Sequence, residues 1–249
     1  MLQTLRVATR VATFRLALAT AVFALPGSPA IGRPLDASAS SAAAGRKAVS
    51  TVAPTFDPAA WETIRRGGID PALFALALDA AEHAVARGEA TAPRTLTVID
   101  FSKPSTDKRM WVYDLRSREL LFHEHVAHGR GSGANLATQF SNVPESNQSS
   151  LGLFRTGEAY IGKHGLSLRL DGLERGINDR ARERAIVIHG ADYVNASTAQ
   201  AQGRLGRSLG CPAVRPDIAP RLIDAVKDGG LLFAYYPQQS WLTSSTYLN

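Results

Sequence analysis

The 249-residue chain has one cysteine, Cys211, so it cannot form an intramolecular disulfide. Exported proteins usually pair their cysteines, which makes a solitary thiol a candidate for chemistry. Beyond the first thirty residues no apolar run is long enough to span a bilayer. A clustered basic face is also missing. The formal charge is +6, but Arg6, Arg10 and Arg15 sit in that first segment, and +3 remains without them. This small excess argues against a nucleic-acid partner and is compatible with an anionic polymer of the cell envelope. The stretch "GRGSG", residues 129–133, does not complete a dinucleotide-binding G-x-G-x-x-G, because Ala134 stands where the third glycine is needed. No internal repeat is visible.

What is present begins with "MLQTLRVATRVATFRLALATAVFALPGSPA". Three arginines without an acid, an apolar run from Leu16 to Leu25 and small residues at Ser28 and Ala30 predict a signal peptide over residues 1–30. The protein is therefore expected to be exported to the periplasm or cell envelope, with membrane attachment only if that segment is retained. Residues 31–55, rich in Ala and Ser, read as a flexible linker. The remaining roughly two hundred residues suffice for one core.

Residues 56–93 predict a short helical element. Asp70 suits an N-cap, Pro71 the first helical position and Gly88 the C-terminal end; Leu73, Leu76, Ala77, Ala80 and Ala84 recur at helical spacing. From residue 94 to 238 the pattern turns to β. "RTLTVIDFS" and "RMWVYDLRSRELLFHEHVAHG" alternate around a hairpin turn, while "AIVIHG" and "LLFAYY" read as buried strands. One late helix is expected in "RPDIAPRLIDAVKDGG", with Ile218, Leu222, Ile223 and Val226 on a shared face. The segment "YIGKHGLSLRLDGLERGIND" reads as a loop dense in glycine and polar residues, and 239–249 as a C-terminal tail. The fold class expected is mostly β with helices (α+β). The Gly- and Ser-rich stretch 128–152 is long for a loop in a compact domain, a length that marks function or disorder.

His189 closes the strand "RAIVIHG", where a side chain leaves the core for a cleft, and Gly190 lets the chain turn there. Cys211 lies in "SLGCPAV" between Gly210, which permits close backbone approach, and Pro212. A free thiol is only ~3% thiolate at neutral pH, and an imidazole base overcomes that deficit. Cys211 is thus a candidate acyl-transfer nucleophile with His189 as its base; the competing reading is an inert buried thiol beside a strand-end histidine. Histidine precedes cysteine here, the reverse of papain-like peptidases. His123 and His125, alternate residues on one strand, have the spacing of metal ligands, but no third ligand is in evidence.

"VIHGADYV" followed by "GRLGRSLGCPAV" resembles the YkuD-type L,D-transpeptidase catalytic domain family, in its S-x-G-C-P murein branch. "VAHGRGSGANLATQFSN", "SSLGLF", "YIGKHGLSLRLDGLERGIND" and "GGLLFAYY" extend the likeness over residues 94–238. The resemblance implies a β-sandwich or barrel carrying a cleft, no metal or organic cofactor, and peptidoglycan stem peptides as partners. Carbapenem-type β-lactams are implied as inhibitors. It assigns Cys211 as nucleophile and His189 as general base and acid. The Gly190 backbone would orient the histidine, and the amides of Gly210 and Cys211 would form the oxyanion site. Substrate contacts are expected from Ser208, Arg207, Tyr160, His164, Ser167, Asn178 and Arg215. The implied product is a 3→3 cross-link made through a thioester. Resolution of that thioester by water would give a carboxypeptidase or cross-link hydrolase instead, and an inert Cys211 would leave a wall-binding module. Leu209 and Ala213 depart from the wider family, where a second histidine and an Arg or Asn are common.

Overall fold

The computed structural model describes residues 56–61 and 66–249. The expected signal peptide and linker lie outside these residues. No helix among the described residues is long and apolar enough to cross a membrane. A 3-10 turn, Pro58–Trp61, precedes helix α1, Pro71–Ala86. The Asp70 carboxylate accepts from the Leu73 N–H at 2.9 Å, and Gly88 leaves the helix at a φ of +73°. Leu73, Ala77, Ala80 and Ala84 are buried as their spacing predicts, together with Phe74, Leu78 and Ala81. Trp61, Phe74 and Tyr113 pack with ring centroids 4.8 to 5.7 Å apart. The helical element thereby shares one core with the β-rich body.

Eight strands follow: β1 (Thr95–Asp100), β2 (Met110–Asp114), β3 (Glu119–Glu124), β4 (Gly152–Gly162), β5 (Gly165–Gly172), β6 (Val187–Gly190), β7 (Ala213–Val214) and β8 (Leu231–Tyr235). They form one mixed sheet in the order β3-β2-β1-β8-β4-β5-β6-β7. β1 runs parallel to β8 and β6 parallel to β7; the other neighbours are antiparallel. Every residue of β1 and β2 is buried, so these strands read as near-continuous apolar runs with both faces covered. Helix α1 contacts β1 and β8, a short α2 (Ala196–Gln202) lies between β6 and β7 in the chain, and α3 (Ala219–Val226) lies against β5, β6 and β1. Ile218, Leu222, Ile223 and Val226 are buried along one side of α3, as read from the sequence.

The sheet is nearly closed. Its edge strands are β3 and β7, and the chain just beyond β3 reaches β7 through a bridge between Ala127 and Ala213. A second bridge joins Gly129 to Ser208. Arg215 then pairs with Glu124, the last residue of β3, through two bonds of 3.0 Å. These contacts define a seam.

Two expectations are corrected. The segment from Tyr160 to Asp171 is not a loop: it belongs to the β4–β5 hairpin, turning at Lys163 and His164. Leu166, Leu168 and Leu170 do alternate there, but the glycines and charges between them masked the period. Residues 239–249 do not trail away either. Helix α4 (Gln239–Ser244) buries Trp241, whose indole N–H donates to Glu174 at 3.1 Å, and Tyr247 is fully buried beyond it. The long 128–152 stretch is ordered by serine side chains: Ser149 Oγ accepts from the Gly129 N–H, and Ser132 Oγ accepts from the Ser149 N–H.

Candidate active site

His189 is the third residue of β6, in register with Ser167 on β5 and Ala213 on β7. Because β6 and β7 run parallel, the chain two residues before Ala213 comes beside the start of β6. Cys211 is held there with its thiol donating to Ala185 O at 3.6 Å, while the backbone N–H groups of Val187 and Cys211 point at the sulfur. Cys211 and His189 open onto one cleft of about 310 Å³, with Tyr160, His164, Arg207 and Ser208 in its walls.

The loop that carries Cys211 is built by short local bonds. Ser208 Oγ donates to Cys211 O at 2.6 Å and accepts from the Gly210 N–H at 3.1 Å. Behind it, Ser149 Oγ donates to Gly210 O, Ser208 N donates to His128 O, and Arg130 N donates to Ser208 O. Gly210 sits at a φ of +127°, and a Cβ there would come within 2.8 Å of Gln148 O, so a glycine is required before the cysteine.

His189 is nearly buried, and its Nδ1 lies 2.9 Å from Gly190 O. A proton on Nδ1 donated to that carbonyl leaves Nε2 as the basic nitrogen. Burial holds the imidazole below its usual pKa; the bond to Gly190 opposes this, and the charges of His164 and Lys163 add to it. His164 stacks on His189 with centroids 4.4 Å apart and planes 23° from parallel. Burial pushes the Cys211 thiol up, and the Val187 N–H and the charges of Arg184 and Lys163 pull it back in part. Both shifts disfavour the charged forms, the thiolate at Cys211 and the imidazolium at His189.

The other expected residues divide. Ser167 lies in the cleft wall, buried, with its hydroxyl donating to Gly165 O. Tyr160 lines the cleft under the Arg169 guanidinium, 4.5 Å from its ring centroid. Arg207 lines it too, anchored through Nη1 to Gly133 O. Asn178 is not in the cleft. It is fully buried, accepting from Glu174 N and donating to Leu151 O and Leu153 O, which fixes the turn after β5. Arg215 is likewise held at the seam by Glu124 and Asp217 and is absent from the cleft wall. The Gly210 N–H, expected at the oxyanion site, already donates to Ser208. Leu209 is 56% exposed at the cleft, whereas Ala213 is fully buried in the seam.

The sequence reading missed Lys163, Arg184 and Tyr193, which also line the cleft. Burial raises the Tyr193 hydroxyl to about 12, keeping it a phenol. Nothing in the run "RARERAIVIHG" distinguishes Arg184 from its neighbours. Lys163, Arg184 and Arg207 make the cleft cationic, and among the described residues no carboxylate lines it. A second hollow of about 460 Å³ lies across the wall formed by Lys163, His164 and Tyr193, and is lined by Gly190 and Asp192. The two strand histidines are engaged elsewhere: His123 stacks on Trp111, and His125 Nε2 lies 3.0 Å from Thr106 O. Among the described residues no group of three or more His, Cys, Asp or Glu is placed to hold a metal ion.

In this mostly β domain the seam presents a thiol and an imidazole to one cleft. Residues 65–235 match the family model of the L,D-transpeptidase catalytic domain, and the chain belongs to that family. Among curated proteins no match was found. Solved structures similar to it include the L,D-transpeptidase LdtMt1 in complex with imipenem, at 17% identity over 58% of this chain and 60% of that one, TM-score 0.36. An L,D-transpeptidase from Mycobacterium smegmatis is similar at 16% identity over 59% and 60% of the two chains, TM-score 0.36. One from Stackebrandtia nassauensis shows 14% identity over 70% and 74%, TM-score 0.36. The chain spans 60% of the length of the first of these.

Proposed function

We propose that the chain is an exported cysteine L,D-transpeptidase that joins peptidoglycan stem peptides by 3→3 cross-links. The observation that carries this reading is the meeting of Cys211 and His189 on one cationic cleft free of carboxylates. The C-terminal carboxylate of a tetrapeptide donor suits Arg207 and Lys163, two cationic side chains that line that space. His189 Nε2 takes the thiol proton as Sγ attacks the L,D amide carbonyl after the third residue. The tetrahedral intermediate collapses, the C–N bond breaks, and the imidazolium gives its proton to the departing D-alanine amine. An amine of a second stem then attacks the thioester, loses a proton to His189 and frees the sulfur. One amide is exchanged for another, so no external energy source is needed. The backbone donors beside the sulfur, the Val187 and Cys211 N–H groups, are the candidates for the oxyanion, since that of Gly210 is engaged.

The second hollow, on the far side of His164, supports an amine acceptor over water by offering a separate approach. Hydrolysis of the same acyl-enzyme is the competing outcome, and a non-catalytic wall-binding module is a third. Incubation with purified disaccharide-tetrapeptide, followed by mass analysis, separates them. Transfer yields a cross-linked dimer with loss of D-alanine, and hydrolysis yields tripeptide alone. Cys211→Ala abolishes either product. Unchanged substrate with the wild-type protein removes both enzymatic readings. The LdtMt1 neighbour was solved with imipenem. A carbapenem is expected to add covalently to Cys211 here, detectable as an intact-mass increase that Cys211→Ala loses.

A further inference from the structure

Arg184 has an arrangement that Cys211 and His189 alone do not explain. It is half-buried, and its guanidinium makes four bonds, all to neutral oxygens of the 141–150 segment. Nη1 donates to Ser141 O at 2.7 Å and Ser150 Oγ at 2.6 Å, and Nη2 to Gln148 O at 2.6 Å and Ser146 Oγ at 3.3 Å. No carboxylate forms a salt bridge with it among the described residues, although Arg155, Arg169, Arg180 and Arg182 each have at least one. A half-buried cation with hydrogen bonds but no counter-ion keeps a charge that a nearby anion can draw on. Its Nη2 lies 3.4 Å from where a Cβ of Gly210 would project, directly against the residue that precedes Cys211.

We propose that Arg184 is a positioning residue that acts electrostatically. It ties the 141–150 segment to the nucleophile loop, and its unpaired charge stabilises negative charge on the Cys211 sulfur as the thioester forms and breaks. The groups facing the sulfur are consistent with this. Lys163 comes from the hairpin turn, His164 and His189 are stacked beside it, Tyr193 and Arg207 complete the wall, and none is an acid. Arg184 and Cys211 also feel each other's charge, which draws the guanidinium up and the thiol down against the burial of both. The inference rests on Cys211 being the nucleophile.

The test reads the sulfur directly, without turnover: the pH dependence of Cys211 alkylation by iodoacetamide, an uncharged reagent. Arg184→Met removes the charge and should move the midpoint upward, slowing alkylation at neutral pH about three- to tenfold. Arg184→Lys keeps the charge while losing most of the four bonds, and should stay within about twofold of wild type at neutral pH. Ser146→Asp leaves Arg184 in place but sets a carboxylate against Nη2, and should slow alkylation as Arg184→Met does. It also decides the matter if Arg184→Met does not fold, since Ser146 lies in a surface loop. Unshifted midpoints in Ser146→Asp and in folded Arg184→Met would overturn the proposal, as would equal shifts in the Met and Lys variants, which would leave a purely structural tie. These shifts in the variants, together with a wild-type protein that transfers nothing to tetrapeptide, would remove the transpeptidase reading and leave the Arg184–Cys211 coupling standing.

Discussion

Gly129→Ala isolates the seam from every other property of the site. Gly129 has an ordinary extended backbone, φ −65° and ψ 140°, so alanine brings no dihedral strain. Its Cβ, however, would lie 2.3 Å from Asn147 O, 2.8 Å from Gly210 Cα and 3.0 Å from Gly210 N. All three are backbone atoms, and none can swing aside as a side chain would. Overpacking of this kind costs about 1–3 kcal/mol. Parting the strands also weakens the Gly129 N–H to Ser149 Oγ bond and the Arg130 N–H to Ser208 O bond, each worth about 1 kcal/mol net. A total of about 2–4 kcal/mol lowers Tm by roughly 5–15 °C for a domain of this size. Because the displaced atoms are the backbone that carries Cys211, turnover should fall about a hundredfold, the penalty of a misplacement near 1 Å. Gly176→Ala is the control: it sits at a φ of +79° with nothing within 4 Å, so it should cost about 1 kcal/mol of backbone strain and leave turnover unchanged. Thermal unfolding by circular dichroism and tetrapeptide turnover read both variants. Wild-type turnover in Gly129→Ala, with Tm within a degree or two, would refute the close approach of these strands.

His128 is fully buried beside Arg109 and held near 4 by burial and that charge, against an ordinary 6.5. The unfolded chain therefore takes up this proton first as the pH falls, and the folded state loses on the order of 3 kcal/mol across that window. His128→Gln should flatten this part of the Tm–pH curve, and an unaltered slope would contradict the burial argument. In the proposed mechanism His189 accepts the thiol proton as a neutral base, and its pKa is lowered, so the acid limb of kcat/KM should have its midpoint below 6.5. A limb above neutrality would show instead a group that gains its proton more readily than burial allows. Trp241→Ala should cost about 3–5 kcal/mol, through a cavity and an unpaired Glu174 oxygen, with the turnover of the remaining folded protein intact. A Tm unchanged by that substitution would mean that α4 contributes nothing to the core.

Much of the site was legible because its features are local. Cys211 stood out by being alone and fenced by Gly210 and Pro212, and His189 by ending a short apolar strand. The α1 boundaries followed from Asp70, Pro71 and Gly88, where capping chemistry is read one residue at a time. Residues whose roles depend on distant partners were misread or overlooked. Asn178 looked like a polar loop side chain but satisfies carbonyls at Leu151 and Leu153, more than twenty residues upstream. Arg215 looked available for a substrate until Glu124 on the opposite sheet edge claimed it. Arg184 is one arginine among several in its run, and only the fold distinguishes it, by denying it an acid. Trp241 and Tyr247 were passed over because a short apolar scatter at a C-terminus carries no period.

The seam also has a bearing on the order in which the molecule can be made. Its ties join residues far apart in the chain, Glu124 and Arg215 being 91 positions apart. Contacts of that range are entropically the last to be repaid during folding, because the intervening strands must already be in place before the ends can meet. Cys211 is presented by one lip of this closure and the backbone that supports it by the other. A chain with most of its strands formed but its circumference still open would hold both Cys211 and His189, yet lack the backing from Gly129, Ser149 and His128 that sets the thiol. On the proposed reaction, amide exchange would be reserved for the finished molecule, and turnover would report whether the sheet has closed.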